Sequence, residues 1–314
     1  MFEIKRYTVE DKEIWNAYVR LARNATFLFD RNYMDYHKDR FEDHSLLIYK
    51  GAKLYALLPG NQNNNTFCTH QGLTYGGLII NKRATTADIC QVFIDVNRYL
   101  KEQNFHHVIY KAIPWIYHQI PAGEDLYALT NVVGANLITR HIASTIVLDN
   151  KLAFTESRKS GIRKAIRAQL TVRECKADEI SIFWNILNDN LHNKYGAKPV
   201  HTIKELQLLM TRFPDNIKCF VVFDGETALG GTLLYITPQV IHTQYISASP
   251  RGKSEGALDL LFDELIMHRK WDAKYFDFGK SSDGDGHDLN EPLIFQKEGF
   301  GGRGVCYDWY KWDL

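Results

Sequence analysis

A chain of 314 residues, with 45% hydrophobic and 24% charged residues, has the composition of an ordinary globular protein and exceeds the usual size of one domain. Lys plus Arg number 38 against 37 for Asp plus Glu, so no overall field gathers polyanions, which argues against a general nucleic-acid binder and against DNA as a partner. No window approaches the roughly 18 consecutive apolar residues of a membrane span, and the opening MFEIKRYTVEDKE lacks an apolar signal core, so a cytoplasmic protein is expected. The cysteines at 68, 90, 175, 219 and 306 form no C-x-x-C pair and read as isolated buried thiols, with no metal expected.

In chain order, residues 11–22 suit a helix with Ile14, Tyr18 and Leu21 on one face. The aromatic-rich stretch 24–41 reads as packing. Two apolar runs around Lys50-Gly51 predict a hairpin, and Gly72–Ile80, with the paired Gly76 and Gly77, predicts a third strand. Residues 86–101 place Ile89, Phe93, Val96 and Leu100 on one helix side, with Thr85 or Thr86 as cap. His107–Ala112 and Ala143–Leu148 read as buried strands. The second half repeats this order: a hairpin over 218–237 turning at Asp224-Gly225, a strand from His242, a helix carrying Leu258, Leu261, Phe262 and Leu265, and a strand over Lys274–Gly279. Tyr55 with Leu234, Ile89 with Leu258 and Ile109 with Phe276 recur at a nearly constant offset, which points to a duplicated α/β unit with halves 1–150 and 151–314.

The halves differ between strand and helix. In the second, the strand runs into Ser249-Pro-Arg251-Gly252-Lys253-Ser254-Glu-Gly256, small residues at a helix start, whose N–H groups and dipole suit a phosphate, although such turns are also common structural punctuation. The first half has Leu78-Ile-Ile-Asn-Lys-Arg-Ala-Thr there, without the glycines, so it is expected to be degenerate. Between the halves, Arg158, Lys159, Arg163, Lys164, Arg167 and Arg173 are spread along a basic stretch read as a helix packed through Ile162, Ala165 and Ile166. Its basic side is either a solvated face or a contact for a phosphate-bearing substrate.

With Arg251, Ser254 and Gly256 in its fixed places, the loop resembles the pyrophosphate-binding Arg/Gln-x-x-Gly-x-Gly/Ala loop of the GCN5-related N-acetyltransferase (GNAT) family, with serine at the first glycine place. The basic helix 157–172, the segments Lys198-Pro-Val-His201-Thr, His242-Thr-Gln-Tyr245, Tyr275-Phe-Asp277-Phe-Gly279 and Asn290–Gly301, and more loosely His70–Gly77, resemble FemABX-type aminoacyltransferases and related tandem-GNAT acyltransferases. The resemblance implies an α/β (α+β) fold of two tandem GNAT-like domains, each a mixed, mostly antiparallel sheet flanked by helices. It further implies transfer of an acyl group, with acyl-CoA, acetyl-CoA foremost, as cosubstrate. The acceptor would be an amine of a small-molecule, sugar-linked or cell-envelope acceptor. A tRNA-borne aminoacyl donor acting on a peptidoglycan precursor, or a non-catalytic binding protein of the same fold, are the alternatives.

Such a transfer needs a base for the amine, donors for the developing oxyanion and an acid for the leaving thiolate. His201 and His242 are the candidate bases, with His192 third, though His201 also precedes a Thr202-x-x-Glu205 capping pattern. Strand alternation sets His242 with Gln244 on one face and Thr243 with Tyr245 on the other. Tyr245 is a candidate thiolate acid or a core aromatic, and Asp277 between two phenylalanines is a candidate base or positioning group. The expected cofactor contacts are Ser249, Arg251, Gly252, Lys253, Ser254, Gly256 and Asn290, and the expected substrate contacts are Arg163, Arg167, Gln244 and Lys297. The acidic run 281–288 reads as a substrate loop rather than a calcium site.

Overall fold

The computed structural model describes residues 1–196 and 199–314, with the backbone alone for 193–195. The chain divides into two compact units, Met1–Ile142 with Ser282–Leu289 and Val305–Leu314, and Ala143–Ser281 with Asn290–Gly304. The division departs from a cut at 150/151. The C-terminal strand Arg303–Asp313 returns to the first unit, where Trp309 to Asp313 pair with Lys111 to His107, so the last residues belong with the first half.

In the first unit, β1 (Glu3–Arg6) is followed by α1 (Lys12–Leu21), then by the hairpin β2 (Leu46–Lys50) and β3 (Lys53–Leu58), turned by Gly51 at φ +58°. The short β4 (Ile79–Ile80) completes the antiparallel order β1-β2-β3-β4. Next come α2 (Thr86–Glu102), capped by the Thr85 side chain, β5 (His107–Lys111), and α3 (Glu124–Asn131). As the periodicity predicts, Ile89, Phe93, Val96 and Leu100 enter the core. The face predicted for α1 holds at Tyr18 but not at Ile14 and Leu21, which are exposed, while Trp15, Tyr18 and Val19 are buried. The indole takes the interior because its ring is the larger apolar body and its N–H reaches Phe29 O at 2.8 Å. The predicted strand Gly72–Ile80 shrinks to its last two residues, because Gly77 takes φ +93° and Leu78 N–H is bonded by the Tyr110 hydroxyl rather than by a neighbouring strand.

β6 (Asn136–Val147) leaves the first unit and contributes residues 143–147 to the second. In the second unit, α4 (Glu156–Arg167) ends before Gln169 at φ +56°, so Arg173 lies not on the basic helix but on β7 (Thr171–Cys175). Of the apolar residues predicted to pack α4, Ala165 is buried and Ile162 half-buried, while Ile166 is 58% exposed. After α5 (Ile180–Tyr195) and α6 (Ile203–Arg212) come β8 (Ile217–Asp224), β9 (Thr227–Ile236) and β10 (Val240–Ala248). Two short helices follow, α7 (Pro250–Glu255) and α8 (Ala257–Asp263), then β11 (Tyr275–Lys280) and α9 (Glu291–Gly299). The sheet order is β7-β8-β9-β10-β11-β6, antiparallel except for β10 with β11. One of its faces buries Phe220, Leu234, Ile241, Leu261, Phe262 and Phe276 in the unit's core. Against the expectation of buried thiols, Cys306 is exposed. Among the described residues no helix is long and apolar enough to cross a membrane.

Candidate active site

β10 and β11 pair in parallel over three positions only, Val240 to His242 with Tyr275 to Asp277. Beyond that point β10 continues to Ala248 and β11 to Lys280 without pairing to each other, so the strands open into a fork. A cavity of about 210 Å3 fills it, walled by Leu187, Asn190 and Leu191 of α5, Ile246 to Ala248 of β10, Leu258 and Phe262 of α8, Phe278, and Leu293, Gln296 and Lys297 of α9. Past residue 242 the β11-side edge of β10 has no strand partner among the described residues, and of its peptide groups Ala248 O is taken by the Asn190 amide.

The last paired position carries His242 and Asp277. Asp277 is fully buried; one carboxylate oxygen accepts from Thr145 Oγ1 at 2.8 Å, and the other lies 2.8 Å from His242 Nδ1. A carboxylate among Phe276 and Phe278 would be costly alone, and this hydroxyl and imidazole compensate it. With Nδ1–H donating to the carboxylate, Nε2 carries the lone pair, and no hydrogen bond to it is seen among the described residues. The ring lies against Gly279, where an added Cβ would come 2.9 Å from His242 Cε1; Gly279 holds φ +69°, so glycine is required twice over.

Lys297 forms part of the cavity wall. Its Nζ donates to Gly279 O at 2.9 Å and Lys280 O at 2.7 Å, and burial pushes its pKa down to about 8, against a partial upward pull from Asp277. Placed in the sequence as a substrate contact, it is a buried amine beside the fork. The signal was legible, since Lys297 shares a helix face with Leu293 and Phe300.

Strand alternation misplaces Tyr245. A β-bulge pairs Thr243 with Leu234 and Tyr245 with Leu233, leaving Gln244 as the extra residue, so Tyr245 turns to the face of His242. There its hydroxyl lies 2.6 Å from His201 Nδ1, and burial pushes its pKa up to about 12, which makes it a poor thiolate acid. A buried His201 and a half-buried Tyr245 thus form a second pair, outside the cavity lining, and the predicted capping box at Thr202 and Glu205 does start α6. His192 is exposed on α5, and Lys198, named in the motif before His201, lies outside the described residues.

The phosphate-loop residues are less open than expected. Residues 250–255 are helical, and the Ser249 side chain caps Gly252 N–H while donating to Leu229 O. Arg251 is held by Asp224 and by Glu255, the latter at 2.9 Å, and Ser254 Oγ donates to Arg251 O. Gly252 and Gly256 are required by packing, since an added Cβ would come within 2.2 Å of Leu229 O and 2.3 Å of Gly161 O. Gly256, at φ +77°, breaks the chain into α8, whose leading N–H groups have no side-chain cap. Asn290 caps α9 by accepting from Leu293 N–H, a structural role. Lys253, Gly252 and Gly256 line a second cleft of about 310 Å3 with Arg158, Leu258, Asp259, Pro292, Phe295 and Gln296. Arg163 and Arg167 project from α4 into solvent and line neither cavity.

Sequence reading missed Thr145 and Asn190. The Asn190 amide donates to Ser247 Oγ at 2.6 Å and Ala248 O at 2.7 Å and accepts from Lys253 Nζ at 3.1 Å, tying α5 to the open edge of β10. Nothing in a helix pattern marks such an asparagine. The run 281–288 forms a two-stranded ribbon, Ser282–Asp283 with Asp288–Leu289.

No protein-family model matches the chain, and no curated protein matches it in sequence. Solved structures do resemble it. A crystal structure of FemX superposes with a TM-score of 0.70 at 10% identity, over 99% of this chain and 97% of that one. The C-terminal domain of a putative lysylphosphatidylglycerol synthetase from Agrobacterium fabrum gives 0.62 at 11% identity, over 96% and 91%. A tandem GNAT protein from the clavulanic acid biosynthesis pathway gives 0.55 at 10% identity, over 100% and 98%. The chain therefore has the tandem GNAT-like, FemX-type fold, a mixed α/β architecture.

Proposed function

We propose that the protein is an N-acyltransferase that takes an acyl group from acyl-CoA and passes it to an amine of a small or cell-envelope acceptor. The observation that carries this reading is the fork: diverging strands with a cavity lined in part by a buried lysine, and a buried His–Asp pair at the last paired position where the strands part. A slim thioester arm bearing amides can add to the free edge of β10 as a short pseudo-strand.

The acceptor amine attacks in its neutral form and must shed one proton as its nitrogen becomes that of an amide. His242, with Nδ1–H held by Asp277, offers Nε2 as the acceptor, and Thr145 fixes the carboxylate. The amine nitrogen bonds to the thioester carbon, the C–S bond breaks, and the electron pair leaves on sulfur. Lys297 supplies the proton to that thiolate: an ammonium whose pKa is about 8 matches a thiol far better than the Tyr245 hydroxyl at about 12. The test is release of free coenzyme A thiol from a panel of acyl-CoA donors and amine acceptors, with binding followed by calorimetry. Amine-dependent thiol release is expected, and failure of every acyl-CoA to bind would refute the proposal.

A second reading, aminoacyl transfer from tRNA, is favoured by the solvent-facing Lys159, Arg163, Lys164 and Arg167 of α4. It requires tRNA affinity that falls steeply with salt.

A further inference from the structure

Cys175 and Cys219 are far apart in the chain but meet in the sheet of the second unit. Cys175 closes β7 and lies directly opposite Cys219 of β8, at the last rung of the antiparallel register that joins the two strands. Opposed residues of such a pair project from the same face. Their Cα atoms are about 4.5 or 5.5 Å apart, inside the roughly 4.4–6.8 Å that a disulfide spans. Both thiols are free and buried. Cys68 has no such counterpart, since it faces Asn61 and Ile109. Among the described residues no group of three or more His, Cys, Asp or Glu side chains could hold a metal, so the pair suits redox chemistry rather than metal binding.

β7 is an edge strand, joined to β8 alone among the described residues, and Cys175 stands at its end, where fraying exposes a residue first. Burial raises the Cys175 pKa; Arg173, two residues back on the same face, opposes the rise, while Glu179 and Glu174 add to it. Burial holds Cys219 well above the ordinary thiol range, and Cys175 beside it adds to that. Cys175 is therefore the thiol that meets an oxidant, through opening of the strand end, and Cys219 the one that resolves it. We propose that Cys175 and Cys219 are a redox-active dithiol whose oxidation staples the edge strand β7 to the sheet. With a hydroperoxide as oxidant, the Cys175 thiolate attacks the peroxide, the O–O bond breaks, and a sulfenic acid forms. The Cys219 sulfur then displaces the hydroxyl from that sulfur, the S–S bond forms, and the oxygen leaves as water. Two thiols thus lose two electrons and two protons, and one peroxide becomes two waters. A dithiol reductant reverses the change.

The experiment treats the full chain carrying Cys306→Ser, which removes the exposed thiol, with hydrogen peroxide, both in the native state and during refolding. Free thiols are then alkylated and the peptides mapped by mass spectrometry without reduction. A peptide containing Cys175 should be recovered linked to one containing Cys219. The thermal midpoint of the oxidised protein should rise by about 5–10 °C and return to its starting value with dithiothreitol. With Cys175→Ala added, both the link and the rise should vanish. Recovery of both cysteines unlinked, as thiols or as separately oxidised residues, would refute the pairing without requiring any further variant to fold. A link that leaves the midpoint unchanged, or a rise that persists in Cys175→Ala, would refute the staple.

Discussion

The two units make the same strand–helix–strand passage and treat it differently. In the second, β10 and β11 part after His242 and Asp277, and the gap is a cavity with a buried lysine in its wall. In the first, the corresponding passage from β4 to β5 is filled by Tyr110. The Tyr110 hydroxyl accepts Leu78 N–H at 2.7 Å and donates to Asp125 at 2.6 Å, and its ring packs against Phe93 and Trp312. Gly77 is shaped to that plug, since an added Cβ would lie 2.8 Å from the hydroxyl. The same passage is thus filled by a side chain in one half and opens into a cavity in the other. What separates them is whether a side chain satisfies the backbone there.

The largest expected effect breaks the reactive fork. Asp277→Ala should lower kcat by about 10^2- to 10^4-fold, since His242 loses its orientation and its counter-charge, measured as thiol release with near-unchanged donor affinity. His242→Ala should do the same, and the double variant should be no worse than either, because the two act as a unit.

The complementary change breaks the plug. Tyr110→Phe leaves Leu78 N–H and the Asp125 carboxyl without their partner and should cost about 1–3 kcal/mol in denaturant unfolding. The affinity of the second unit for coenzyme A should stay as it was. A loss of affinity would mean that the first fork also takes donor.

A smaller effect sharpens the role of Lys297. Its folded pKa, about 8, lies below the ordinary 10.5, so the folded state binds fewer protons than the unfolded chain between these values. The burial cost of the ammonium is present below pH 8 and relieved as pH rises toward 10.5. Stability should therefore rise across that window, while kcat should fall above about pH 8 as the acid is lost. Lys297→Met should abolish both trends.

The smallest effect concerns α4. Arg163→Ala with Arg167→Ala should change acyl-CoA kinetics less than about twofold, since exposed charges in solvent contribute little. A marked loss would support tRNA as donor.

The fold was legible because its signals are local and repeated. The turn glycines at 51 and 225, the Ile89–Leu100 stripe and the Thr202–Glu205 capping box need no tertiary context to be read. His242, Asp277 and Lys297 were singled out as well. Their partnership was not legible, because it depends on where β10 and β11 stop pairing, which is set across 35 residues of chain separation between His242 and Asp277. Nor was the bulge at Gln244, which reverses Tyr245, since an inserted residue leaves no mark in an alternating pattern. The glycines of the supposed phosphate loop were noticed for a conformational reason, but Gly252 and Gly256 are also needed for close packing against Leu229 and Gly161.

The difference between the forks is tested most directly by the stoichiometry of coenzyme A binding. Calorimetry on the full chain, repeated with Leu258→Trp to fill the second fork, should give one site per chain in the wild type and none in the variant, with the unfolding midpoint little changed. Two sites, or a site that survives Leu258→Trp, would contradict the assignment of the donor to the second fork.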